Sequence, residues 1–174
     1  MLREEYKNIL VAVDGSKASR IAFEKAALLT IQNRGTLFIT HVIDERSFTQ
    51  SNPSYAHYDT QISVPRSHQQ DPLLAAKTTL NEYKQLAEKH GIYDCETLIE
   101  YGNPEKIIAN KLPEKHQIDL IIMGATGLSA VERLFIGSVS ESVIRHAICD
   151  VLIVRKSAEE YNKDYNDRKK TNEI

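Results

Sequence analysis

The sequence predicts an α/β fold: a single doubly wound, five-stranded parallel sheet with helices on both faces. Three observations carry this expectation. Short apolar runs alternate along the chain with stretches of helical period, the pattern of repeated strand–helix–strand units. The runs Ile9-Leu10-Val11-Ala12-Val13 and Leu120-Ile121-Ile122-Met123 are continuously apolar, as in strands covered on both faces. The length, 174 residues, suits one domain with a substantial core and is short for two.

Strands are expected at Asn8–Val13, Thr36–Ile43, Cys95–Tyr101, Ile118–Met123 and Val151–Arg155. After the first, Ser16 supplies a cap for a helix that gathers Ala22, Phe23, Ala26, Ala27 and Thr30 on one face, with Gly35 where the chain must turn out. Leu73, Ala76, Leu80, Tyr83, Ala87 and His90 repeat at helical spacing before Gly91. A third helix opens at Asn103-Pro104, a cap followed by proline at the first helical position. Pro113 should end it early or bend it. The fourth carries Val139, Val143, Ile144 and Ala147. Right-handed crossovers between such units give a Rossmann-like sheet of order 3-2-1-4-5.

The domain is expected to span residues 1–155. Within it, residues 44–72 form a polar, proline-punctuated connector without a sustained period, long enough for a lid or a mobile loop. The tail, 156–174, holds five basic and five acidic residues and few apolar ones, a disordered composition. The formal net charge of −2 supplies no field for nucleic acid or an anionic membrane. No apolar run approaches the roughly 20 residues that span a bilayer, and the start lacks the apolar stretch of a signal peptide. Cys95 and Cys149 are far apart in apolar surroundings and suit small core residues better than a disulfide or metal site. A cytoplasmic location is the expectation.

Ligands of open α/β sheets bind at the carboxyl ends of the strands, where the winding reverses. There the sequence places Asp14-Gly15-Ser16 after the first strand and Gly124-Ala125-Thr126-Gly127 after the fourth. Gly124, Gly127 and Gly137 surround a loop that runs into a helix starting near Ser138. Glycine admits positive φ and the close approach of a ligand. A helix N-terminus favours anions, and the Ser138 and Ser140 hydroxyls are further donors. A phosphate chain suits these groups.

The same residues also have an ordinary use. Ser138-Val139-Ser140-Glu141 is a capping box that needs no ligand, and Gly124 and Gly127 serve equally to turn the chain out of a strand. GxxxxGK[ST] is absent, and DGSKAS follows the first strand where GxGxxG would stand. G-x-S-x-G, C-x-x-C and H-E-x-x-H are absent too. His41 suits a packed or pocket-edge position, and His57 and His68 suit exposed ones.

In order along the chain, ILVAVDGS, HVID, DLIIMGATG and IGSVSESVIRHAICDVLIVR resemble the universal stress protein family. The ATP-binding members share G-x2-G-x9-G-[ST], matched here by Gly124, Gly127 and Gly137-Ser138. The resemblance covers about residues 7–43 and 73–155. It implies that Asp14 lies at the adenosine end of a site and that the Val42 backbone recognises adenine. Met123, Gly124 and Gly127, with Thr126 close by, would line the ribose and phosphate path. Gly137, Ser138, Val139 and Ser140 would hold the phosphates of ATP, or of ADP or AMP, with Mg²⁺ or Mn²⁺ as a possible companion. It also implies a homodimer through the last strand, 151–155, a short apolar edge that calls for a partner. Asp150 departs from the proline usual before that strand, and Pro113 is a second departure.

Three functions follow as expectations. The first is a nucleotide-binding stress-response or regulatory protein. A slow ATPase or phosphotransferase is the second, although the motif offers no evident base and Arg133 is its one candidate for a γ-phosphate. A nucleotide-free scaffolding dimer is the third.

Overall fold

The computed structural model describes residues 5–44, 71–126 and 136–155. The expectations for the connector and the tail, and those for Gly127 and Arg133, lie outside the described residues. Five strands form one sheet: β1 (Asn8–Ala12), β2 (Thr36–Ile43), β3 (Cys95–Tyr101), β4 (Leu120–Gly124) and β5 (Asp150–Val154). Their order is β3-β2-β1-β4-β5, with every pair parallel. This is the expected doubly wound arrangement, and its reversal falls between β1 and β4.

Helices cover both faces. On one, α1 (Lys17–Asn33) and α2 (Pro72–Lys89) enclose Ile9, Val11, Phe23, Ile39, Leu80 and Ile122. On the other, α3 (Pro104–Lys106), a π-helical turn (Ile107–Lys111), α4 (Leu112–His116) and α5 (Ser138–His146) enclose Leu10, Phe38, Leu112, Ile121 and Val143. Leu10 and Val11, like Ile121 and Ile122, therefore point into opposite cores, which accounts for the unbroken apolar runs.

Ser16 caps α1 as expected, its hydroxyl accepting the Ser19 N–H at 3.0 Å. The exit of α1 differs from the sequence reading. The left-handed residue is Arg34, at φ 49°, and not Gly35. Gly35 is needed for space, because a Cβ there would lie 2.5 Å from the Lys7 carbonyl oxygen. At the end of α2, Gly91 takes φ 79°, the left-handed geometry expected of its stop signal.

Pro113 does not end the third helical segment, which continues to His116. The chain widens instead into the π-helical turn, where the Leu112 N–H reaches back to the Ile107 carbonyl. Proline has no N–H for the carbonyl four residues back, that of Ala109. The Ala109 carbonyl accepts the Ile148 N–H at 3.3 Å, and Asn110 Nδ2 donates to the His146 carbonyl at 3.0 Å. The segment before β5 is thereby stitched to this helix.

Strand limits differ from the sequence reading by one or two residues at β1, β4 and β5. Val13 still donates to the Thr40 carbonyl at 2.9 Å, and the Ala125 N–H donates to Val154 at 3.0 Å. Asp119, ahead of β4, accepts the Lys7 and Asn8 amides at 2.9 and 3.0 Å. Asp150 accepts the Tyr6 hydroxyl at 3.0 Å.

Candidate functional site

The crevice at the carboxyl ends of β1 and β4 opens beyond the pair Ala12↔Met123. From β1 the chain turns through Asp14, Gly15 and Ser16. Asp14 Oδ1 accepts the Ser16 N–H at 3.0 Å, a local side-chain turn. Gly15 adopts φ 81° with open space around its missing Cβ, so backbone conformation is what calls for glycine there.

From β4 the chain reaches Gly124, which is buried against α1. A Cβ on Gly124 would lie 2.8 Å from both the carbonyl carbon and the Cβ of Ala18. Its lack of a side chain lets the first turn of α1 approach the strand end. Neither Gly124 nor Gly137 uses the positive φ expected of them: Gly137 stands at φ −64°, ψ 152°.

Two hydrogen bonds fix the start of α5 to the end of β4. The Gly137 N–H donates to the Ala125 carbonyl at 2.7 Å, and the buried Ser140 hydroxyl donates to the Gly124 carbonyl at 2.9 Å. The expectation that Ser140 serves as a free hydroxyl donor is corrected accordingly, since its single proton is committed to the strand. The capping box is corrected as well. Gly137 is the N-cap, with no side-chain cap bond. Ser138 is the first helical residue, and Glu141 turns to Arg145, at 2.8 Å, instead of reaching back. The box fails because the cap position has moved one residue ahead of the serine that would fill it. Among the described residues, the first-turn N–H groups of α5 thus have no side-chain acceptor.

Val42 lies in β2, two residues beyond the last pair with β1, Ala12↔Thr40. Backbone groups alternate sides along a strand. The Thr40 carbonyl is turned toward β1, where it accepts the Val13 N–H, while the Ile43 carbonyl is turned toward β3 and accepts the Gly102 N–H. Val42 shares the orientation of Thr40, so its backbone faces the crevice side. The Val13 carbonyl, which a further rung of the ladder would join to Val42, instead lies 2.9 Å from His41 Nδ1. No sequence signal foretold that link between residues 28 positions apart.

Asp14, Val42, Met123, Gly124, Thr126, Gly137, Ser138, Val139 and Ser140 therefore gather at the carboxyl ends of β2, β1 and β4 and at the start of α5. Met123, Gly124 and Ser140 are buried; Asp14, Val42, Thr126, Gly137 and Val139 are half-buried; Ser138 is exposed. Such an edge offers backbone donors to an anion on one side and a carboxylate to a hydroxyl or amine on the other. No group of three or more His, Cys, Asp or Glu side chains arranged for a metal occurs among the described residues. No helix among them is long and apolar enough to cross a membrane.

Comparison with known proteins gives a consistent result. A model of the universal stress protein family matches residues 5–155. A Staphylococcus aureus (strain USA300) protein assigned by name to the universal stress proteins is 43% identical over 169 residues, covering 97% of this chain and 95% of that one. Among solved structures, the universal stress protein UspA from Lactobacillus plantarum is 28% identical, with a TM-score of 0.66 over 88% of this chain and 100% of that one. A universal stress protein in complex with cAMP is 25% identical, with a TM-score of 0.61 over 88% and 100% of the two chains.

Proposed function

The chain belongs to the universal stress protein family, and we propose that it is a cytoplasmic regulatory protein that binds ATP, or ADP or AMP, at the carboxyl ends of β1 and β4. The observation that carries this reading is the first turn of α5. Its sequence offers a capping box, yet among the described residues the turn has no side-chain cap, and it is bonded to the strand end through Gly137 and Ser140. A helix start held in that way favours an anion by its partial positive charge of roughly one half.

In this reading Gly137, Ser138 and Val139 meet the phosphates with backbone N–H groups and the exposed Ser138 hydroxyl. Ser140 fixes the turn, and Gly127, outside the described residues, is the second glycine of the motif. Asp14 accepts a hydrogen bond from the ribose or base, Val42 recognises adenine through its backbone, and Met123, Gly124 and Thr126 line the path between them. Mg²⁺ or Mn²⁺ would bind mainly through the phosphates, which agrees with the few carboxylates at the crevice. A family member in complex with cAMP supports an adenine nucleotide as the ligand class.

Regulation is favoured over turnover because the glycine motif supplies no evident base and the His41 ring is engaged with the Val13 carbonyl. A homodimer through β5 belongs to the same reading. Its residues 151–154 are half-buried at the sheet edge, where a partner strand would satisfy the open backbone.

The test is to denature the purified protein, identify any released nucleotide by chromatography, and titrate the emptied protein with ATP and cAMP in the presence of Mg²⁺. Adenine nucleotide carried through purification, or a Kd near 1 μM (about −8 kcal/mol), supports the reading. An empty protein that binds neither nucleotide overturns it in favour of a scaffolding dimer, and sustained turnover of excess ATP would favour an enzyme.

A further inference from the structure

A hydrogen-bond chain that begins on a different helix reaches Asp14. The Tyr83 hydroxyl, in the middle of α2, lies 3.2 Å from Ser19 Oγ. Ser19 donates its hydroxyl proton to the Ser16 carbonyl at 2.9 Å. A serine hydroxyl has one proton, so Tyr83 is the donor to Ser19. The Ser19 N–H in turn donates to Ser16 Oγ at 3.0 Å, and the Ser16 N–H donates to Asp14 Oδ1 at 3.0 Å. Tyr83, Ser19 and Ser16 are 4%, 3% and 8% exposed, so the bonds between them are largely buried.

The surroundings make this chain more than incidental packing. Beside it, a cleft of about 360 Å³ separates the first turn of α1 from α2, with Ser16, Arg20, Thr79 and Tyr83 among its lining residues. At this level the Tyr83–Ser19 bond crosses between the two helices beside the Phe23–Tyr83 ring contact. The Phe23 ring holds the Tyr83 ring at a centroid distance of 5.0 Å, which fixes where the hydroxyl points. Burial also raises the Tyr83 titration above its ordinary value, so the phenol remains a donor at neutral pH.

We propose that Tyr83 is a positioning residue for nucleotide binding, orienting the Asp14 carboxylate through Ser19 and Ser16 and so coupling the placement of α2 to the affinity of the crevice. The inference rests on the nucleotide reading above. Without the Tyr83 hydroxyl, Ser19 Oγ keeps its bond to the Ser16 carbonyl but loses the donor that crosses from α2, so the turn that presents the Ser16 N–H to Asp14 is no longer anchored to that helix.

The experiment is a double-mutant cycle in the full chain, with ATP affinity measured for the wild type, Tyr83→Phe, Asp14→Asn and the double variant. Tyr83→Phe keeps the ring and removes only the hydroxyl, and Ser19→Ala breaks the same chain at a smaller side chain should Tyr83→Phe fold poorly. The expected result is a loss of about 3- to 5-fold on Tyr83→Phe or Ser19→Ala that disappears in the Asp14→Asn background. The amide resonance of Ser16 in the nucleotide-free protein should also move in Tyr83→Phe. Equal affinity, losses that add in the double variant, or an unmoved Ser16 amide would each overturn the coupling while leaving nucleotide binding intact. A wild-type protein that binds no adenine nucleotide overturns the nucleotide reading itself, and the positioning role with it.

Discussion

Gly124 and Ala18 meet so closely that a methyl group on the glycine would lie 2.8 Å from the alanine's carbonyl carbon and its Cβ. This gives Gly124 a mechanical role whatever the crevice holds, because it sets how near α1 comes to β4. Gly124→Ala is therefore expected to cost about 1–3 kcal/mol of stability, read as a lowered midpoint in urea. Adding Ala18→Gly should recover only part of the loss, since the Ala18 carbonyl carbon and oxygen remain at 2.8 and 3.0 Å.

Gly137 behaves in the opposite way. Its φ of −64° and ψ of 152° are open to any residue, so Gly137→Val together with Ser138→Ala should fold, at a cost of about 1 kcal/mol for a poorer residue at the N-cap. ATP binding should be abolished in calorimetry, because the added side chain stands where the phosphates would approach. Normal ATP binding by a folded double variant would remove this turn from the site.

The end of α1 offers a paired test. Arg34 holds φ 49°, which favours glycine, so Arg34→Gly should stabilise the protein by about 0.5–1 kcal/mol. One residue on, Gly35→Ala would bring a Cβ to 2.5 Å from the Lys7 oxygen, and the expected result is a loss of about 1–3 kcal/mol. Thermal melts of the two variants should move in opposite directions.

Burial pushes the Cys95 thiol up from 9.0 to about 11, with Lys84 opposing. A thiol shifted so carries about 100-fold less thiolate at pH 8, so iodoacetamide should label Cys95 far more slowly in the native chain than in urea. The folded-state value is the higher one, so the stabilising contribution is present below pH 9 and lost as the pH rises toward about 11. Cys95→Ala should flatten the alkaline decline of stability measured by urea titration. A residual slope is expected from Tyr83, which burial also raises.

The sheet was legible because its evidence is local. Leu10-Val11 and Ile121-Ile122 need both faces covered, and Ser16, Asn103-Pro104 and Gly91 mark helix limits with their own chemistry. Of the two effects expected of Pro113, the early end did not occur, because a wider turn accommodates the proline and an outside donor reaches the Ala109 carbonyl. The glycine motif was legible as spacing, but not as cause. Gly124 is small for the sake of Ala18, a neighbour 106 positions away that no local pattern reveals. Ser138-x-x-Glu141 looked like a cap, and the N-cap fell on Gly137 instead. Tyr83 was legible as part of a helical repeat, whereas its hydroxyl's link to Ser19 depends on how two helices lie against each other.

The π-helical turn at Ile107–Lys111 makes the length of this segment a gauge for the sheet edge. Such a turn holds one residue more than a regular α-turn would. Deleting a residue there would restore α-helical winding but rotate Ala109 and Asn110 away from Ile148 and His146, the residues to which they are stitched. The segment entering β5 would then start from a different height, and the edge strand would be offered to any partner out of step.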